Sequence, residues 1–452
     1  MRDGVVRSEP STRVRVAVSL TIMALTALVS VCGVAFGDAH ALTLREALNS
    51  TYSTNPSLAA ARARLDATKE LLARAKALGR PNAFASGEIN YGRDDTDNRR
   101  DRLRTGDSGP SSVLAATVQQ PLFRGFSIVN GIREAKAEIY AGHADLLQSE
   151  QEVLLSAVAA YMNSWRYQSF VDLRRLNVTA LREQVIATSE RRRVGEATAT
   201  DVLQSESRQA RAEAELSQTQ ANLRSNYAEF ERIIAERPVK LKLPRVSSFA
   251  VPKTLKDALQ IALNESPLVL AAQRRRTASR HGLAKVRGEL LPRADLSASY
   301  SRSSGDDGLL EPSNGAAVSA RVVVPLYQGG DVRARIREAT HVQRQRKFEA
   351  EEARRRVRSD VISAWHQLTS LESQIKLNRR QVDTSRIALL GLLEQEKRGQ
   401  RTTTDVLDAQ QELTDAKIAL VANQAELVTA TFRLISTMGR LNAIDLGLPV
   451  GN

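Results

Sequence analysis

The stretch Ala316-Ala317-Val318-Ser319-Ala320-Arg321-Val322-Val323-Val324-Pro325-Leu326-Tyr327-Gln328-Gly329 decides how this chain folds. Ala316, Val318, Ala320, Val322 and Val324 share one face of an extended segment, opposite Ser319 and Arg321. That period of two predicts a strand with one apolar and one polar side. Pro325 ends the alternation, and no further proline occurs from Leu326 to Leu448. The sequence there is rich in Ala, Leu, Glu, Gln and Arg, residues that lose little rotamer freedom in a helix. A strand is therefore expected to pass directly into a helix of about 70 residues, 328–397.

The same passage occurs earlier in the chain. Pro121-Leu122-Phe123-Arg124-Gly125 matches Pro325-Leu326-Tyr327-Gln328-Gly329 at an offset of 204, and Thr200-Asp201-Val202-Leu203 matches Thr404-Asp405-Val406-Leu407. Nearer the N-terminus the offset is 211: Thr43-Leu44-Arg45-Glu46-Ala47-Leu48 recurs as Thr254-Leu255-Lys256-Asp257-Ala258-Leu259, and Pro56 and Pro81 recur as Pro267 and Pro292. The seven-residue difference falls between Pro292 and Pro325 and predicts a surface loop of variable length. The chain is thus expected to be two copies of one unit, 42–247 and 248–452. Two units are too few for a solenoid.

Each unit has one plan. A short helix (44–54; 255–265) leads to a second (57–80; 268–291) that Pro81 or Pro292 ends. Two strands follow, then the long helix (124–193; 328–397), a glycine-containing turn and a final helix (200–236; 404–440). The strands are expected at 83–92, 111–121, 294–303 and 315–325, each near the roughly 9–11 residues that a tilted membrane strand needs. In the first, Ala83, Ala85, Ile89 and Tyr91 oppose Ser86, Glu88 and Asn90; Leu114, Ala116 and Val118, then Leu296, Ala298 and Tyr300, repeat the pattern. Polar loops are expected at 94–110 and 304–314.

Strands in hydrocarbon cannot leave unpaired edges, and single-chain barrels need at least about eight strands. Four cannot close. Three chains would supply twelve strands and an open lumen. A 70-residue helix spans about 105 Å, several times the membrane thickness, and these helices are too polar for lipid. They are expected to project into water as a helical tube. Val406, Leu413, Leu420, Leu427 and Leu434 recur every seven residues, as do Val202, Gln209, Leu216, Leu223 and Phe230, the repeat of a left-handed coiled coil. An independent structural coiled-coil protein of the periplasm would share these heptads but not the paired strands.

Residues 1–41 read as an export signal: Arg2, Arg7, Arg13 and Arg15, an apolar run from Val16 to Phe36, then Ala39-His40-Ala41. An N-terminal anchor helix is the alternative for a run of that length. Cys32, the one cysteine, lies within this segment behind Val31, against lipidation, and disulfides or thiolate metal sites are excluded from the mature chain. The net charge of +14 raises the question of nucleic acid. Yet Arg191-Arg192-Arg193, Arg274-Arg275-Arg276 and Arg354-Arg355-Arg356 sit among acidic residues without stacking aromatics, as on solvated helix faces. His143, His281, His341 and His366 lack metal-ligand spacing, Trp165 and Trp365 read as packing residues, and no nucleotide-binding glycine loop or nucleophile–base arrangement is visible. No cofactor, metal or enzymatic activity is expected.

The strand-to-helix junctions Gln119-Gln120-Pro121-Leu122-Phe123 and Val324-Pro325-Leu326-Tyr327, with the turns Val194-Gly195-Glu196-Ala197-Thr198-Ala199-Thr200-Asp201 and Arg398-Gly399-Gln400-Arg401-Thr402-Thr403-Thr404-Asp405, resemble the TolC family of outer-membrane factors over essentially the whole mature chain. The resemblance implies a mainly α homotrimer: a twelve-stranded barrel in outer-membrane lipid and a coiled-coil tunnel in the periplasm. It implies docking to a periplasmic adaptor (membrane fusion protein) and an inner-membrane transporter of RND or ABC type, to export drugs or, alternatively, as a dedicated type I protein-secretion component. Asp405 and Asp408, three apart, share a helix face; in the family the matching pair lines the constricted tunnel mouth, where a threefold ring would favour cations. Asp405 is equally suited to cap its helix, as is Asp201. By similarity Arg401 would bond Thr200 or Asp201 on an adjacent coiled coil and latch the mouth. Val194, Gly195, Glu196 and Ala197, with Arg398, Gly399, Gln400 and Arg401, would be the adaptor-docking tips. The resemblance implies a tyrosine in this latch where Glu396 stands, so the closing network is expected to differ. Opening is expected to untwist the inner coils.

Overall fold

The computed structural model describes residues 42–95, 106–244, 251–305 and 313–448. The expected signal at 1–41 lies outside them.

The elements run α1 (Leu44–Thr54), α2 (Pro56–Ala77), β1 (Asn82–Asp95), β2 (Gly106–Arg124), α3 (Ser127–Arg193) and α4 (Ala199–Ile234). The same order follows again: α5 (Leu255–Glu265), α6 (Pro267–Arg287), a 3-10 turn (Gly288–Leu290), β3 (Arg293–Gly305), β4 (Ser313–Val323), α7 (Asp331–Lys397) and α8 (Thr403–Thr437). Helix starts follow local chemistry. Thr43 caps α1 in a reciprocal box with Glu46, and Pro56 and Pro267 occupy the first turns of α2 and α6, where no amide donor is required. Both second helices end earlier than expected, at Ala77 and Arg287, because a residue preceding proline is biased out of the helical region and the last turn tightens.

β1 to β4 form one antiparallel sheet in sequence order. Its register lines up Ala83, Val118, Ala298 and Val318 in one row, and Asn82, Gln119, Ser297 and Ser319 in the next. The alternation read strand by strand therefore continues across the sheet: one face is apolar, and the other is polar apart from a few residues such as Phe84. On the polar face, the hydroxyls of Ser297 and Ser319 lie 2.7 Å apart. Strands β1 and β2 run further than expected, to Asp95 and from Gly106, through sequence expected to be loop. An antiparallel ladder needs only backbone partners, so pairing continues where the apolar face has stopped. Pro121 lies inside β2 at a register shift, a place where its missing donor is tolerated.

The helices stand side by side. α3 packs on α2, α4, α6 and α8, α7 packs on α6 and α8, and α4 also touches α8. The outer strands of the sheet are β1 and β4. At 67 residues each, α3 and α7 extend about 100 Å. The main core lies midway along them, where α1 and α5 wrap the bundle: Leu154, Val158 and Tyr161 of α3 meet Phe230 and Ile234 of α4, Val361 of α7, and Phe432 and Leu434 of α8. Trp165 and Trp365 pack against this core, as expected of packing residues. Among the described residues α8 alone is long and apolar enough to cross a bilayer, but Val406, Leu407, Leu413, Val428 and Leu434 are buried inside the protomer.

Candidate functional site

The residues singled out in the sequence gather at the two helical turns farthest from the sheet. At the first, the Glu196 amide donates to Arg191 O (2.8 Å) and the Gly195 amide to Arg192 O (3.0 Å). At the second, the Gln400 amide donates to Gln395 O and the Gly399 amide to Glu396 O, both at 2.9 Å. These closures need a left-handed residue, and Gly195 (φ +85°) and Gly399 (φ +69°) supply it. Val194, Glu196, Arg398, Gln400 and Arg401 are exposed, and Ala197 is half-buried.

The helices after both turns start identically. Thr198 caps α4 and Thr402 caps α8; Asp201 and Asp405, third in their helices, reach back to the Thr198 amide (2.9 Å) and the Thr402 amide (3.0 Å). From the sequence, the cap was expected of the aspartates. The threonines hold it, because their hydroxyls reach the third amide while each carboxylate returns to the capping amide. Those backbone donors hold the Asp201 and Asp405 carboxyls below the usual carboxylate range, with help from the threonine hydroxyls. Both stay ionised.

Asp408 sits one turn further along α8 and is exposed, where Asp405 is half-buried, but it does not stand alone. Arg208 of α4 places Nη2 2.7 Å from its Oδ1. Arg401 donates within its own turn to Gln395 (3.4 Å), and its bonds within the described residues of one protomer do not include Thr200 or Asp201.

The polar contacts that bind the two turns together were not foreseen from the sequence, although Arg191 and Glu396 were singled out in other roles. Glu396 is buried, with its Oε1 2.6 Å from Arg191 Nη2. Gln184 donates to the same carboxylate (3.1 Å), and Arg191 also reaches Thr403 Oγ1 (3.3 Å). Thr404 donates to Gln204 (2.8 Å). Deeper, Asn177 accepts from Gln410 and Thr414, each at 3.0 Å. Arg191 is therefore not part of a purely solvated face, as its cluster suggested. The available sign was the spacing of Gln184, Thr188 and Arg191, which puts them on one face of α3; their partner lies some 200 residues away, beyond any local pattern. Beneath them Leu407 packs among Val178, Leu181 and Ala212. Among the described residues no cluster suited to a metal ion occurs.

Residues 47–236 and 258–440 match the family model described as outer membrane efflux protein. The chain is 33% identical over 409 residues to the outer membrane efflux protein BepC of Brucella suis biovar 1, covering 90% of this chain and 88% of the relative. It is 25% identical over 427 residues to the alkaline protease secretion protein AprF of Pseudomonas aeruginosa, covering 92% and 88%. Among solved structures, it resembles the outer membrane protein VceC of Vibrio cholerae (TM-score 0.76, 18% identity, 88% of this chain and 96% of the other). It also resembles the CmeC outer membrane channel of Campylobacter jejuni (TM-score 0.78, 13% identity, 88% and 85%).

Proposed function

The chain belongs to the outer membrane efflux protein family, and from that premise we propose that three copies close one twelve-stranded barrel and one periplasmic helical tunnel. The protein is an outer-membrane channel component of tripartite export, with the fold of such channels. One observation carries the trimer: β1 to β4 form a single open antiparallel sheet whose outer strands, β1 and β4, each pair on one side only within the protomer. A sheet edge in lipid requires a partner, and head-to-tail contact of unlike margins closes into a ring. The apolar sheet face meets outer-membrane lipid and the polar face lines the lumen. The inner-membrane partner supplies the energy.

The two turns dock a periplasmic adaptor, and Asp405 and Asp408 of three protomers ring the tunnel mouth. Exposed Arg401 latches that mouth against Thr200 or Asp201 across protomers. In planar bilayers Arg401→Ser should raise conductance, and Asp405→Ala with Asp408→Ala should lower cation preference. Unchanged values would remove both assignments. Light scattering in detergent should give three times the chain mass, and a monomer would remove the trimer.

Efflux of small molecules through an RND-type transporter is the first reading of substrate, and the similarity to BepC supports it. Protein secretion through an ABC transporter is the second, supported by the similarity to AprF. Crosslinking from residues 196 and 400, followed by identification of the captured transporter, separates the two.

A further inference from the structure

We propose that Arg208 is a specificity-determining residue of the channel mouth: it neutralises Asp408 while the two coiled coils of a protomer are joined, and releases that charge when they part. The proposal rests on Asp405 and Asp408 forming the mouth.

The acidic side of α8 carries Asp405, Asp408, Glu412 and Asp415, at the spacing of one helical face. Among the described residues only Asp408 of these four forms an ion pair. Asp405 is engaged with its own capping threonine, Glu412 with Ser385 (3.4 Å) and Asp415 with Gln411 (3.0 Å). None of those bonds cancels charge. The Arg208–Asp408 pair does, and it joins α4 to α8, the helices that follow the two turns.

The internal repeat shows that this pairing is built from a difference between the units. At the offset of 204, Gln204 and Arg208 of the first unit stand where the second has Asp408 and Glu412. Equivalent faces of the two helices therefore carry opposite charge at this level. Gln204 bonds Thr404 one turn from the ion pair, which sets the two helices close enough for Arg208 to reach across.

With the coils joined, each protomer offers the mouth one carboxylate outside any ion pair from this pair of residues, Asp405. Separation of α4 from α8 removes the guanidinium from Asp408. Once they are more than about 10 Å apart at 0.1 M salt, screening leaves the carboxylate electrostatically alone, and the threefold ring gains three negative charges. Opening and cation preference are thereby coupled, because Arg208 both fastens the coils and masks the ring.

The test is the reversal potential of the purified full-length channel in planar bilayers under a potassium chloride gradient. Arg208→Gln should raise the cation-to-anion permeability ratio about two- to threefold, since a surface charge within a few ångströms of a narrow pore weighs strongly on ion choice. Arg208→Lys should keep the original ratio, and Arg208→Gln with Asp408→Asn should restore it. If Arg208→Gln leaves the ratio unchanged while Asp405→Asn lowers it, the masking role is overturned and the ring assignment stands. If neither Arg208→Gln nor Asp405→Asn with Asp408→Asn shifts the ratio, the mouth assignment itself falls.

Discussion

Arg191, near the end of the first long helix, donates to the buried carboxylate of Glu396, near the end of the second, across 2.6 Å. The two residues are 205 positions apart and join the halves of the chain just above the turns. Glu396 stands where the resemblance implied a tyrosine, so an ion pair with Gln184 and Thr403 closes this part of the protomer.

Arg191→Gln should loosen the turns. Removing one partner of a buried pair costs about 3–5 kcal/mol, and the quarter exposure of Arg191 reduces that to about 1–3 kcal/mol. Faster amide exchange over 184–191 and 396–403, with a higher mean conductance, is the expected result. Arg191→Lys, which keeps the charge, should recover part of both.

Gly125 and Gly288 should tolerate no side chain. A Cβ on Gly125 (φ +59°) would lie 2.0 Å from Gly288 O, and one on Gly288 would lie 2.2 Å from Gly125 O. This backbone contact joins the β2–α3 junction to the α6–β3 junction, where the barrel meets the tunnel. Gly288→Ala should abolish heat-resistant trimer on gels. Gly399→Ala meets nothing within 4 Å; it should cost only the positive φ, about 1–2 kcal/mol, and leave the trimer intact.

Glu150 should make folding stability depend on pH. It is buried and accepts the Ala443 amide at 2.6 Å. Burial raises its carboxyl above 4.5, opposed by that amide and by Arg62. The folded form then binds the proton more tightly than the unfolded chain. Its stabilisation is complete below about 4.5 and is lost as pH rises through the raised folded value. Glu150→Gln should flatten this part of a melting-temperature profile from pH 4 upward; an unchanged slope would assign it to other groups.

Tyr161→Phe should weaken the core midway along the tunnel. The Tyr161 hydroxyl lies 2.8 Å from Leu42 O and 3.0 Å from Lys242 O, and it accepts the Lys242 amide at 3.1 Å. Phenylalanine preserves the apolar packing but leaves backbone groups of the segments flanking both ends of the first unit unpaired. A loss of about 1–3 kcal/mol should appear as a lower thermal midpoint with unchanged helix content.

Much of this architecture is written locally. The alternation from Ala316 to Val324, the proline-free runs and the Thr–x–x–Asp starts of the last helices each express a period or a cap that neighbouring residues complete among themselves. Helix and strand identity and the doubled order of elements follow from those periods. Strand ends were less legible, because the ladder beyond Tyr91 depends on backbone partners and not on an apolar face.

What the tertiary structure alone decided is which long-range polar pairs form. Arg191 and Arg208 look alike in sequence, as arginines on charged helices. Only the packing of α3 and α4 against α7 and α8 brings the first to Glu396 and the second to Asp408. A salt bridge depends on ångström separations between side chains on different helices, and those separations are set by interlocking apolar residues such as Leu407 among Val178, Leu181 and Ala212. No periodicity along a single helix encodes that distance.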